Sequence, residues 1–167
     1  MKLSVVILNY NVKYFIDLCL QSVLAATTNL DSEIIVVDNA SVDGSVPWIK
    51  SQFPQVKLIE NQENLGFPKG NNIGVAQAKG EYVCILNPDT VIAEDTFFKA
   101  LEFMEQNQQL AIMGPKLIDG SGRFLKESKR GVPTPWVAFT KVTGLYKIAP
   151  QLFGKYYNFC LLYTSDA

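Results

Sequence analysis

The sequence predicts an α/β fold, a mainly parallel sheet sandwiched by helices, on three observations. Short apolar, β-branched runs recur along the first two-thirds of the chain. Helical patterns lie between them. The two alternate about every 25 residues, as right-handed crossovers between parallel strands require.

The elements follow in order. Leu3 to Leu8 is nearly continuous in hydrophobicity, as are Ile34 to Val37, Val56 to Ile59, Tyr82 to Leu86 and Ala111 to Met113. Bounded by Asn, Asp, Gly or Pro, such runs read as strands buried on both faces. Asn11 is placed to cap a helix over Lys13 to Ala25, with Phe15, Leu18, Cys19, Ser22 and Val23 along its inner side. Ser45-Val46-Pro47-Trp48 opens a second helix with proline in its first turn, and Phe67-Pro68 opens a third. A fourth spans about Asp95 to Asn107. Gly66, Gly70, Gly74 and Ala78 suit a helix lying close to the sheet. Beyond Pro115 the alternation dissolves into a turn at Asp119-Gly120-Ser121-Gly122, a proline-broken loop over Arg130 to Pro135 and a helix over Trp136 to Leu145. Trp48 and Trp136 read as core or interface anchors.

Composition narrows the chemistry. With 167 residues, 48% hydrophobic and 19% charged, the chain is long enough to bury a core without disulfides or a metal staple. Fifteen basic against sixteen acidic residues argue against a nucleic-acid binder built on a basic stripe. The chain contains no histidine, which excludes Ser-His-Asp and Cys-His catalysis and any His-ligated metal within it. Cys19, Cys84 and Cys160 form no paired framework, and Cys84 sits in an apolar run as an inert thiol. This cysteine usage, with no signal peptide and no membrane-length apolar stretch, suggests a cytoplasmic protein.

In an open parallel sheet, ligands bind beyond the carboxyl ends of the strands. Those ends carry Asn9-Tyr10-Asn11, Asp38-Asn39, Glu60-Asn61 and Asn87-Pro88-Asp89. No G-x-x-x-x-G-K-[ST] occurs, and no G-x-G-x-x-G follows the first strand, so the P-loop and the usual dinucleotide cradle are excluded. An acidic rim repels a diphosphate unless a cation stands between them. Mg²⁺ or Mn²⁺, held by one or two carboxylates plus substrate phosphates, is the usual solution.

Four motifs in order then carry a family resemblance: Val5-Val6-Ile7-Leu8-Asn9-Tyr10-Asn11, Val36-Val37-Asp38-Asn39-Ala40-Ser41-Val42-Asp43-Gly44-Ser45, Asn64-Leu65-Gly66 with Asn71-Asn72-Ile73-Gly74, and Leu86-Asn87-Pro88-Asp89-Thr90. Together they resemble glycosyltransferase family 2, and within it the bacterial dTDP-rhamnosyltransferases. The likeness covers about the first 90 residues and extends more loosely through Pro115–Gly120 and Glu127–Arg130. It implies the GT-A fold, a Rossmann-like nucleotide-binding domain over residues 1–159, truncated before the acceptor-binding part. Residues 160–167 look like a translated sequencing-adapter tail.

The resemblance also implies roles. Tyr10 packs on the nucleotide base, Asp38 accepts a hydrogen bond from a pyrimidine imide, and Asn9 and Asn72 line the substrate site. Asn87-Pro88-Asp89 occupies the place of the family's DXD motif, with Asp89 on Mg²⁺ or Mn²⁺ and Asn87 near the ribose or metal. The implied reaction is inverting transfer of a sugar, rhamnose foremost, from dTDP-rhamnose or a UDP-sugar to a cell-surface glycan or lipid-linked acceptor. That places the enzyme at the inner face of the cell membrane. The family's general base belongs to a later segment, so this chain alone is expected to be inactive. A non-catalytic nucleotide-sugar binding or assembly module is the alternative. The residues alone also admit plainer roles: Asp38 as a turn-former, Asp89 as a cap, Tyr10 as loop packing.

Overall fold

Seven consecutive buried residues, Leu3–Asn9, form β1, an interior strand of a four-stranded parallel sheet. This computed structural model describes residues 1–115, 117–123 and 135–144. The chain divides into two compact units, Met1–Ala111 and Ile112–Ala167. The first holds β1, α1 (Lys13–Thr27), β2 (Ser32–Asp38), α2 (Ser45–Gln52), β3 (Lys57–Glu60), α3 (Gly66–Ala76), β4 (Tyr82–Leu86) and α4 (Thr96–Gln106). Among the described residues of the second, Asp119 accepts the backbone N–H groups of Ser121 and Arg123 in a tight turn, and Pro135–Val142 forms α5.

The sheet order is β3-β2-β1-β4, so the α/β architecture with a parallel sheet stands as expected. Asn9 pairs with Asp38, Ile7 with Leu86, and Asp38 with Glu60, which brings the carboxyl ends of the strands to one rim. On one face Val5, Ile7, Ile34 and Val36 pack with Ile16, Cys19, Leu20 and Val23 of α1, Ile49 of α2, and Phe97 and Leu101 of α4. On the other, Val6, Leu8, Ile35 and Val37 form a smaller cluster under α3. That helix lies close because its inner positions lack side chains: a Cβ at Gly74 would run into Val6, and one at Gly70 into Leu8. Gly66 is different. Nothing crowds it, but its φ of +74° suits glycine at the helix entry.

Four expectations change. The inner side of α1 is Ile16, Cys19, Leu20 and Val23, while Phe15 and Leu18 are exposed, because the helix is turned so that Ile16 meets the sheet. Asn11 does not cap it; at φ +53° its Oδ1 accepts the Val42 N–H, and Asp43 accepts the Lys13 N–H instead. Ala111–Met113 forms no strand: the segment is irregular, Ile112 is 87% exposed, and no described strand pairs with it. Burial on both faces holds for β1 and most of β2 only. Val83 and Ile85 of β4 are 42% and 53% exposed because α3 covers β1 and β2. Trp48 lies at the surface, its Nε1–H donating to Asp17 at 2.9 Å. The loop over 130–134, residues 145–159 and the tail 160–167 fall outside the described residues.

Candidate functional site

The carboxyl ends of β1, β2 and β4 meet the entry of α3 at one rim of the sheet, the edge where an open parallel sheet binds its ligands. A cavity of about 350 Å³ occupies this place, lined by Leu8, Tyr10, Asn39, Asn64, Phe67 and Asp89, with Val12, Gly66, Asn87 and Pro88. Of the residues singled out in the sequence, Tyr10, Asn87 and Asp89 therefore meet at one cavity. Tyr10 is 45% exposed, an aromatic ring open to a ligand. The Asp89 side chain takes part in no hydrogen bond or ion pair among the described residues and is exposed on the cavity wall.

Asn9 and Asp38 are placed otherwise. Both are buried, and neither lines the cavity. Asn9 Nδ2 donates to Asp38 Oδ1 at 2.7 Å and to Ser45 Oγ at 2.8 Å, with a longer contact to Ser41 Oγ. The Ser41 N–H donates to Asp38 Oδ2 at 2.8 Å. Asp43 continues the wiring, accepting the Ser45 hydroxyl at 2.6 Å and the Lys13 N–H at 2.8 Å. Desolvation works to raise the Asp43 carboxyl, but the Ser45 hydroxyl and the backbone N–H groups of Lys13 and Ser45 outweigh it and hold the group below the usual aspartate range. This network fixes a loop in which Ala40 takes φ +58°, a conformation that costs an alanine about 1–2 kcal/mol. Asn72 is exposed on α3 and does not line the cavity.

Two residues that the sequence reading did not single out do line it. Asn39 is buried and Asn64 exposed; Asn39 Nδ2 donates to Asn64 Oδ1 at 3.1 Å, and Asn39 Oδ1 accepts Asn61 Nδ2 at 2.8 Å. The signal was present, since Asn39 follows Asp38 at a strand end and Asn64 belongs to a quoted motif. Phe67 adds a second exposed ring at the cavity.

Cys19 is buried, and its Sγ–H donates to the carbonyl of the cavity-lining Asn87 at 3.7 Å. Burial, then the negative charge of Asp89, pushes this thiol up to about 12, so it stays protonated. Burial raises Cys84 as well, consistent with an inert thiol.

A divalent cation needs hard oxygen ligands, and phosphates and waters commonly supply most of them. The unpartnered Asp89 carboxylate fits the role of single protein ligand. No group of three or more metal-ligating side chains exists among the described residues, so an all-protein cage is not built here. No helix of the described residues is long and apolar enough to cross a membrane.

Comparisons with known proteins give the family and the fold. The glycosyl transferase family 2 profile matches residues 4–164. The poly(ribitol-phosphate) beta-glucosyltransferase of Bacillus spizizenii is 31% identical over 156 residues, covering 90% of this chain and 24% of the relative. The poly(ribitol-phosphate) beta-N-acetylglucosaminyltransferase TarS of Staphylococcus aureus (strain Mu50) is 26% identical, covering 99% and 29%. The chain thus spans about a quarter of the length of these two relatives. Among solved structures, S. aureus TarS 1–349 in complex with UDP superposes with a TM-score of 0.59 at 29% identity, over 65% of this chain and 33% of that one. The mannosyltransferase PcManGT of Pyrobaculum calidifontis, in complex with GDP-Man and Mn²⁺, gives 0.56 at 28% identity, over 62% and 32%.

Proposed function

The chain belongs to glycosyl transferase family 2, and from that premise we propose that it binds the nucleoside-diphosphate sugar of an inverting sugar transfer. The observation that carries this reading is the cavity at the divide between β1 and β4, where Tyr10, Asn87 and Asp89 converge. Tyr10 stacks on the base, Asn87 contacts the ribose, and Asp89 holds Mg²⁺ or Mn²⁺ against the diphosphate. When bound, the cation offsets the charge that builds on the leaving diphosphate. Asp38 is buried off the cavity with both oxygens bonded, to Asn9 and to Ser41, so it shapes the loop that carries Asn39 rather than meeting the base.

The acceptor hydroxyl attacks the anomeric carbon from the face opposite the diphosphate, and a general base removes its proton. Asp89 is the only carboxylate lining the cavity among the described residues, which supports assigning that base elsewhere in the longer enzymes. Rhamnose remains the sugar implied by the sequence motifs. The glucosyl and N-acetylglucosaminyl transfer named for the relatives, and the UDP bound to TarS, favour a UDP-linked hexose over dTDP-rhamnose. A surface polymer rich in phosphate, met at the cytoplasmic membrane face, is the matching acceptor class.

Thermal unfolding of the chain with UDP, dTDP and GDP, each with and without Mn²⁺, tests the reading. A hundredfold excess over Kd stabilises the fold by about 2.7 kcal/mol. Cation-dependent shifts with UDP or dTDP are expected, and a shift with GDP alone overturns the pyrimidine assignment.

A further inference from the structure

The charge of this chain is divided unevenly between its two compact units. Residues 1–111 carry seven basic and thirteen acidic side chains, whereas residues 112–167 carry eight and three. A chain of net charge −1 thus joins a unit of −6 to a unit of +5. Asymmetry of this kind marks a protein that meets an anionic partner through one segment. Arg123 is exposed and takes part in no ion pair among the described residues. Lys126, Lys129 and Arg130 follow it closely in sequence, outside the described residues.

The second unit also leaves its apolar side chains uncovered: among its described residues, no large one is buried. On α5, Trp136, Phe139 and Val142 recur every three residues and so share one stripe of the helix. They are 56%, 52% and 88% exposed. The rings of Trp136 and Phe139 stack with centroids 5.8 Å apart. Thr140 is buried, so α5 has an inner side and the aromatic stripe is the one turned out. We infer that the second unit docks on an anionic lipid surface. Its basic residues are drawn to the headgroups, and Trp136, Phe139 and Val142 enter the boundary between headgroup and acyl chain. Cationic charge joined to exposed aromatic side chains on a helix is the chemistry of such an interfacial contact. Tryptophan suits it, with a large apolar ring and an N–H that stays hydrated. A soluble polyanion uses the charge and has no use for the apolar stripe; a bilayer uses both. The inference goes beyond the sugar-transfer reading and does not need it.

Co-sedimentation of the whole chain with vesicles rich in phosphatidylglycerol, and with vesicles of phosphatidylcholine alone, tests this. No nucleotide is present, so the outcome is independent of the donor site. Strong preference for the anionic vesicles is expected, although the chain as a whole carries net charge −1. Each basic residue near an anionic surface is worth about fivefold in affinity. Lys126→Gln, Lys129→Gln and Arg130→Gln together are therefore expected to weaken binding by about a hundredfold. Trp136→Ser with Phe139→Ser is expected to weaken it by about tenfold or more, through lost apolar burial. The chain has two tryptophans, so Trp48→Phe leaves Trp136 as the single reporter. Its emission is expected to shift to shorter wavelength on the vesicles and to be quenched by lipids brominated in their acyl chains. Equal binding to both vesicles, or none, overturns the inference. Anionic binding that leaves the Trp136 emission unchanged and is competed away by soluble polyphosphate also overturns it, and identifies a phosphate polymer as the partner instead.

Discussion

The carboxyl ends of β2 and β4 carry the same kind of residue at the same rim and use it oppositely. After β2, Asp38 and Asp43 lie among converging donors, Asn9, Ser41, Ser45 and the Lys13 N–H, and no oxygen of either carboxylate is left without a hydrogen bond. After β4, Asp89 stands on the cavity wall with no such partner. A strand-end carboxylate surrounded by donors shapes the loop; one left bare is available to a ligand. The positive φ of Asn11 and Ala40 fits this division, since the β2 side is held in a strained form that its hydrogen bonds over-determine.

The largest effect that bears on this contrast is in stability. Asn9→Ala removes the amide joining Asp38 to Ser45 and leaves a buried carboxylate short of a donor. A loss of about 3 kcal/mol is expected, at the upper end for a hydrogen bond to a charged group. Asp89→Ala, at an exposed site, is expected to stay within about 0.5 kcal/mol. Urea denaturation of the two variants beside the parent measures both, and equal losses break the contrast.

Next comes ligand binding, where the order reverses. Asp89→Asn is expected to weaken UDP binding in Mn²⁺ by about tenfold or more while leaving the cation-free affinity unchanged, because a hard cation exchanges a charged oxygen ligand for a neutral one. Titration at matched Mn²⁺ concentrations reads this directly. A cation-independent loss shows instead that Asp89 shapes the cavity rather than holding an ion.

This contrast also marks where the sequence was readable. The apolar runs of β1 and β2 announced themselves because burial on both faces favours apolar residues along the strand, with polar ones kept to positions such as Ser4, Asn9 and Asp38 that find hydrogen-bond partners. Tyr10 and Asp89 were found because topology places the strand ends together and the family resemblance picks these two out of them. What residue type and place could not show was where the donors are. Asn9 and Asp38 turn inward because Ser41 and Ser45 reach back across a loop of unusual backbone, a convergence from more than 30 residues away for Asn9. The same limit hid Asn39 and Asn64, whose value lies in which of their atoms are already occupied. Phe15 and Leu18 were assigned inward because a helical period sets spacing without setting which face meets the sheet.

The smallest effect concerns acid. Hydrogen bonds from the Ser45 hydroxyl and from two backbone N–H groups hold the Asp43 carboxyl low against the opposing pull of desolvation. Its value in the folded chain is therefore below that in the unfolded one, near about 4. Between the two, the unfolded chain binds more protons, so the stabilisation is fully present above about pH 4 and is lost as pH falls through the folded value. Asp43→Asn keeps an acceptor at this corner but removes the titrating charge. Unfolding midpoints taken from pH 6 down to pH 3 are expected to fall less steeply in this variant than in the parent. An acid limb as steep as the parent's would show that the donors around Asp43 hold the loop through shape alone, and the difference between the two strand ends would then rest on Asn9 and Asp38.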